Sequence, residues 1–135
     1  MKSASTRVYV QKVREKMKFK CNGSEWNIEE VEKDKMTCES SEWTQGLTIY
    51  LEQKILLLKG QPNITRTLKH ELTHVWLYEY GHNQHREDKT YNYEDVCEIV
   101  ASSNDFINEI VNKYNSIELK KQLANISDAI NIIQT

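Results

Sequence analysis

Two histidines flank a glutamate near the middle of the chain, in the segment His70-Glu71-Leu72-Thr73-His74. In an α-helix, residues four positions apart lie one above the other on the same face, so both imidazoles can reach one metal ion. This HExxH spacing is typical of zinc sites in which the glutamate holds a metal-bound water and acts as general base. The segment therefore predicts Zn²⁺ bound by His70 and His74, with Glu71 as the catalytic residue.

The apolar residues around the motif lie on the other side of the predicted helix. At about 100° per residue, Leu68, Leu72 and Val75 fall opposite the two histidines. We therefore expect the helix to bury its aliphatic face and to turn the histidines away from the core. The remaining alternative is a pair of surface histidines that bind no metal.

A catalytic zinc needs a third protein ligand and one open coordination position. A second predicted helix begins after Asn92, where Asp95 stands in the position of a capping box, and it carries Glu94 and Glu98 four residues apart. Its apolar residues lie on the opposite face. An acidic face of this kind is usually only solvated, but beside an HExxH motif it becomes a candidate source of the third ligand.

Two segments of the chain resemble a known family. TLKHELTHVWLYEYG and YNYEDVCEIVASSNDFI are similar to the small zincin-type metallopeptidases of phages and other mobile elements, distant relatives of the ImmA/IrrE-type repressor-cleaving proteases. The resemblance extends upstream through MKFKCNGSEWNIEEVE and GLTIYLEQKILLLKGQ and covers roughly residues 17–114. It implies a minimal zincin-like α+β fold, with a short antiparallel sheet packed on the HExxH helix and on a glutamate-bearing helix, followed by a C-terminal helix.

The resemblance also implies roles for single residues. His70 and His74 match the metal histidines of the family, Glu71 matches the general base, and Glu94 matches the glutamate ligand of the gluzincin arrangement. Glu98 stands where that arrangement usually has an aspartate behind the first histidine. Because glutamate is longer, its side chain must fold back to reach the imidazole of that histidine.

Three further side chains are possible transition-state stabilisers. His82 and His85 lie in a polar loop after the HExxH helix, and one of them could lie over the zinc; exposed loop histidines are the alternative. Tyr93 could donate to an oxyanion, although a buried tyrosine edge is the commoner role. If His82 or His85 filled the open position, the metal would be structural.

The periodicity of the chain predicts strands first and helices afterwards, an order typical of the α+β class. Asn22-Gly23 between two alternating segments is a strong hairpin signal, with strands over Lys16–Cys21 and 25–32. Further extended segments are expected over 46–50 and 55–59. Helices are expected from Asn63 to a C-terminal Gly81, from 92 to about 114, and from Ser116.

The last predicted helix carries an apolar seam, which we define as the residues that repeat at intervals of four and three: Leu119, Leu123, Ile126, Ile130 and Ile133. The repeat lasts just over two heptads, which is short for a coiled coil. We therefore expect the seam to pack back on its own domain and the chain to be a monomer. A homodimer or another partner contact through this helix is the alternative.

Length and composition bound the remaining possibilities. The 135 residues suit one domain over 1–135, with 1–15 an N-terminal extension of unassigned structure and 116–135 the C-terminal helix. A net charge of −2 gives no reason to expect nucleic-acid binding, and the longest aliphatic run, Ile55–Leu58, is far too short to span a membrane.

The cysteines and the first twenty residues indicate the compartment. Cys21, Cys38 and Cys97 are an odd set without a C-x-x-C pair, as expected of reduced thiols, and the basic N-terminal segment lacks the apolar block of a secretory signal. We therefore expect a cytoplasmic zinc metallopeptidase of a bacterial host cell or a phage-infected cell, acting on a protein or peptide substrate. The alternative is a non-catalytic, partner-binding or regulatory protein of a mobile element that retains a zincin scaffold.

Overall fold

The structure is a computed structural model and describes residues 16–36, 44–81 and 90–134. The described chain is α+β, with a four-stranded sheet and two helices. The N-terminal extension, Cys38, His82 and His85 lie outside the described residues. The elements are β1 (Lys16–Cys21), β2 (Ser24–Val31), a single 3₁₀ turn (Lys33–Lys35), β3 (Gly46–Ile49), β4 (Lys54–Leu58), α1 (Ile64–Glu79) and α2 (Tyr93–Gln134).

The predicted hairpin is confirmed. Asn22 and Gly23 both adopt the left-handed backbone region, with φ of 50° and 81°, and this is the geometry that a tight two-residue turn requires. The register pairs Phe19 with Trp26, and these two side chains lie buried on the same face of β1 and β2. The alternation seen in the sequence therefore becomes one buried and one exposed face.

The sheet is mixed, so the expectation of an antiparallel sheet is wrong at one pairing. The strand order is β1-β2-β4-β3, with β2 and β4 parallel and the other two pairs antiparallel. The physical reason lies in β4, where the consecutive residues Ile55, Leu56 and Leu57 are all buried. A strand that is covered on both faces belongs inside a sheet, where continuous apolar segments are typical of parallel pairing. The short β3, whose residues are all half-buried, lies at an edge of the sheet.

Helix α1 covers one face of this sheet. Its fully buried residues are Leu68, Leu72 and Val75, as the helical wheel predicted. The end of the helix is fixed to the hairpin, because Glu79 accepts a hydrogen bond of 2.7 Å from the indole of Trp26. Gly81 follows with φ of 80°, the left-handed conformation expected just after the last turn.

Helix α2 is one continuous helix, so the predicted break between residues 114 and 116 is wrong. Asn115 and Ser116 are common at helix ends, but neither glycine nor proline lies between residues 93 and 134, and nothing forces the backbone out of the helix. The predicted capping box is confirmed at the other end, where Asn92 and Asp95 exchange backbone-to-side-chain hydrogen bonds of 2.8 and 3.0 Å.

The middle of α2, from Ser103 to Ile117, packs on the core, and the C-terminal part of the helix does not. Phe106 lies 6.1 Å from the ring of Phe19 and 5.5 Å from that of Trp76, and Tyr114 donates a hydrogen bond of 2.6 Å to Glu30 on β2. The apolar seam beyond these contacts is exposed. Within the described residues, the expectation that the seam packs back on its own domain is therefore wrong, since α2 continues past the edge of the core.

Candidate metal centre

The two histidines lie on the outer face of α1. Leu72 stands between them in the sequence and is fully buried, whereas the side chain of His70 is 69% exposed. The helix thus uses one face for the core and leaves the opposite face to the imidazoles. This is the orientation that the spacing predicted.

The imidazoles converge on each other. The Nε2 atoms of His70 and His74 are 3.3 Å apart, and the ring planes meet at 72°. Two nitrogens bound to one tetrahedral zinc at 2.0–2.1 Å lie about 3.3–3.4 Å apart, so the observed separation fits a shared metal. An N–H···N hydrogen bond between the rings is the other interpretation, but 3.3 Å is longer than the usual 2.9–3.0 Å.

Glu71 is buried beside the exposed His70 and the half-buried His74. Its side chain is only 8% exposed, and its Oε2 lies 4.0 Å from Nε2 of His70. The other carboxylate oxygen, Oε1, accepts a hydrogen bond of 2.8 Å from the hydroxyl of Thr48. Glu71 is therefore held close to the histidines without converging on the point they share, a position that suits a proton acceptor better than a ligand.

Strand β3 approaches α1 closely at this point, and a glycine makes the approach possible. A methyl group on Gly46 would lie 2.5 Å from Cγ2 of Thr67 and 3.0 Å from both Cγ and Oε2 of Glu71. Real Cβ atoms do not come so near to other atoms, so no larger residue fits without movement. Gly46 and Thr48 alternate along β3, and together they bring the strand against the glutamate and fix its carboxylate.

An open cleft of about 280 Å³ lies between the start of α1 and the segment that leads into β3. His70 and Glu71 form one end of it, and the exposed guanidinium of Arg66 stands one helical turn before His70. The cleft therefore leads directly to the paired histidines and could admit part of a polar ligand. Its remaining lining residues are Thr44, Gln45, Gly46, Asn63 and Thr67.

Tyr50 follows β3 directly, and its pKa is raised in this environment. Burial raises the pKa of its phenol, and the nearby carboxylate of Glu71 and then the phenol of Tyr78 raise it further. The rings of Tyr50 and Tyr78 lie 4.8 Å apart. The sequence prediction included this extended segment but assigned no role to Gly46, Thr48 or Tyr50. The available signal was their position on the extended segment that the sequence predicts over 46–50.

The candidate residues of α2 lie in its first two turns and face solvent. Tyr93 is 89% exposed, and Glu94 and Glu98 are exposed as well. Within residues 16–36, 44–81 and 90–134, no three His, Cys, Asp or Glu side chains form a group that could hold a metal. The structure thus brings His70, His74 and Glu71 together and leaves Glu94 and Glu98 apart from them. Their roles stay predictions.

Comparison with known proteins finds no relative of this chain. Neither the models of known protein families, nor the curated proteins, nor the solved structures contain a match to this chain. None of the helices in the described ranges combines the length and the apolar character that crossing a lipid bilayer requires.

Proposed function

We propose that this protein is a zinc-dependent metallopeptidase of the cell interior. The observation that carries the proposal is the Nε2 separation of 3.3 Å between His70 and His74 on an exposed helix face, beside the buried Glu71. Two nitrogens at a tetrahedral spacing and an oriented carboxylate supply two of the three zinc ligands and the general base that metal-assisted hydrolysis requires from a protein. The zincin-like fold and the kinship with proteases of mobile elements belong to the same proposal.

Glu71 is proposed to move the proton. Zinc, when bound by His70 and His74, would polarise the scissile carbonyl and lower the pKa of its water to about 7. Oε2 of Glu71 then accepts the proton of the attacking water and later returns it to the leaving amine. The hydrogen bond from Thr48 to Oε1 restricts the carboxylate to one orientation, so less ordering is needed at the moment of reaction.

Glu94 is proposed as the third ligand and Glu98 as the hydrogen-bond acceptor behind a ligating histidine. Both carboxylates are exposed, and neither forms an ion pair with another described residue, so both are available for recruitment by a cation. The capping box at Asn92 and Asp95 fixes the start of α2 on which they stand. Tyr93, His82 and His85 remain candidates for stabilising the transition state.

The substrate is proposed to be an extended peptide that lies along the cleft. β3 is one of the two edge strands of the described sheet, and an extended peptide can add to such an edge through backbone hydrogen bonds. Gly46 lies on this strand against Glu71, so a peptide beside β3 would pass close to the proposed proton acceptor.

The test is cleavage of a proteome-derived peptide library by zinc-loaded protein, with products read by mass spectrometry. Wild type should cleave, Glu71→Gln should bind zinc without cleaving, and His70→Ala should lose both properties. Glu109→Gln, an exposed glutamate on α2, is the matched control and should behave as wild type. A wild type that binds zinc but cleaves nothing would refute the peptidase and favour the partner-binding alternative.

A further inference from the structure

The end of α2 extends beyond the folded core. Ile117 is the last residue of the helix that packs against the core cluster, and every residue from Gln122 to Gln134 is exposed. At about 1.5 Å per residue, this exposed part of the helix is about 20 Å long. A single helix of that length is only marginally stable by itself in water, so a packing partner would stabilise it.

The exposed part carries the apolar seam. Its five side chains are between 47% and 82% exposed, and the N-terminal member, Leu119, also lines a cleft of about 430 Å³ between α2, β2 and the start of α1. The intervals of four and three place all five on one narrow stripe of the helix. Such a stripe is the contact surface of helices that pack together knobs-into-holes, as in a coiled coil.

We propose that the seam binds the same seam of a second copy of this chain. Knobs-into-holes packing requires a partner helix whose apolar residues also repeat at intervals of four and three. Among the described elements, only α2 has this exposed repeat. In the heptad that has the seam at positions a and d, positions e and g lie beside the contact. These positions carry a single charge, at Lys120, and otherwise uncharged side chains such as Gln122, Ser127 and Ala129. Two copies therefore meet without opposing like charges along their contact.

The apolar area of the seam supports a second copy of this chain as its partner. From the exposed fractions, its side chains present roughly 500 Å² of apolar surface per chain, in the upper part of the range of about 300–600 Å² for the largest apolar patch of a monomer, which is often functional. Two seams together would bury about 1,000–1,200 Å², the lower end of specific protein interfaces. The cleft at Leu119 lies at one end of the seam and offers further contact to a partner helix. The pair should therefore form reversibly and depend on concentration.

The proposal is independent of zinc and of catalysis, because the seam lies on the part of α2 farthest from Glu94 in the sequence. The experiment is light scattering on the full chain between about 1 and 100 µM, a range that detects association of micromolar strength. The wild-type mass should rise from 15.9 kDa towards twice that value. Ile126→Glu, on the seam, should remain at the monomer mass throughout.

Ile132→Glu is the matched control, because Ile132 is 74% exposed but lies off the seam. It should associate as wild type does, and circular dichroism should show both variants to be folded. A wild type that stays at 15.9 kDa throughout would overturn the proposal and indicate that another segment or another protein covers the seam. A mass above two copies, or an Ile132→Glu variant as monomeric as Ile126→Glu, would overturn it as well.

Discussion

Replacing Gly46 by alanine should disturb the candidate metal centre through one added methyl group. The methyl carbon would lie 2.5 Å from Cγ2 of Thr67 and 3.0 Å from Cγ and Oε2 of Glu71. The backbone at Gly46 is not in the left-handed region, so the effect is one of space and not of backbone conformation. Strand β3 or the start of α1 must therefore move, and the carboxylate of Glu71 must move with it.

The expected size follows from overpacking a closely fitted contact, which typically costs about 1–3 kcal/mol. Urea unfolding of Gly46→Ala should show a loss of this size, and the melting temperature should fall by roughly 4–12 °C. Hydrolysis of any substrate found for the wild type should fall more steeply than stability, because the displaced group is the proposed proton acceptor.

The compensating variant is Gly46→Ala/Thr67→Ser. Serine lacks the Cγ2 atom that meets the new methyl group but keeps a hydroxyl for the 2.6 Å hydrogen bond to Gln61. The double variant should regain much of the lost stability, and the two changes should be clearly non-additive. If Gly46→Ala is as stable as wild type, or if Thr67→Ser gives no recovery, β3 does not approach α1 as described.

Three further predictions concern the carboxylates and the buried thiol. Thr48→Val removes the hydroxyl that donates to Glu71 and should cost about 1–3 kcal/mol in urea unfolding, whereas Thr48→Ser should be close to wild type. Burial, reinforced by the charge of a nearby glutamate, raises the pKa of the Cys21 thiol from 9.0 to about 12. The folded state thus retains this proton longer than the unfolded state, so stability should fall as pH rises above about 9, and Cys21→Ala should show a weaker fall. In a zinc titration, Glu94→Ala should abolish stable binding and Glu98→Ala should weaken it about 10–100-fold; the reverse ranking would exchange the two roles.

The sequence predicted the elements whose signals are local. The Asn22-Gly23 turn, the aliphatic face of α1 and the capping box at Asn92 each depend on residues a few positions apart, and each is found in the structure. The histidine pair belongs to the same class, because a helix alone brings His70 and His74 together.

What the sequence did not predict depends on contacts between distant segments. The place of β4 beside β2 was missed because strand order is decided by burial on both faces of the sheet. The closeness of Gly46 and Thr48 to Glu71 was missed for a similar reason, since more than twenty positions of the chain separate each of them from Glu71. The continuity of α2 was missed because a new helix was expected to start at Ser116, whereas no glycine or proline interrupts the helix there.

The most direct test of the proposed metal centre is a calorimetric zinc titration of metal-free protein. The account predicts one zinc per chain for wild type, no specific binding for His70→Ala or His74→Ala, and wild-type binding for Lys69→Ala, an exposed neighbour on α1. Binding at a thousand times the Kd should also add about 4 kcal/mol to the free energy of unfolding. A wild type that binds no zinc, or variants of both histidines that bind it as tightly as wild type, would contradict the account.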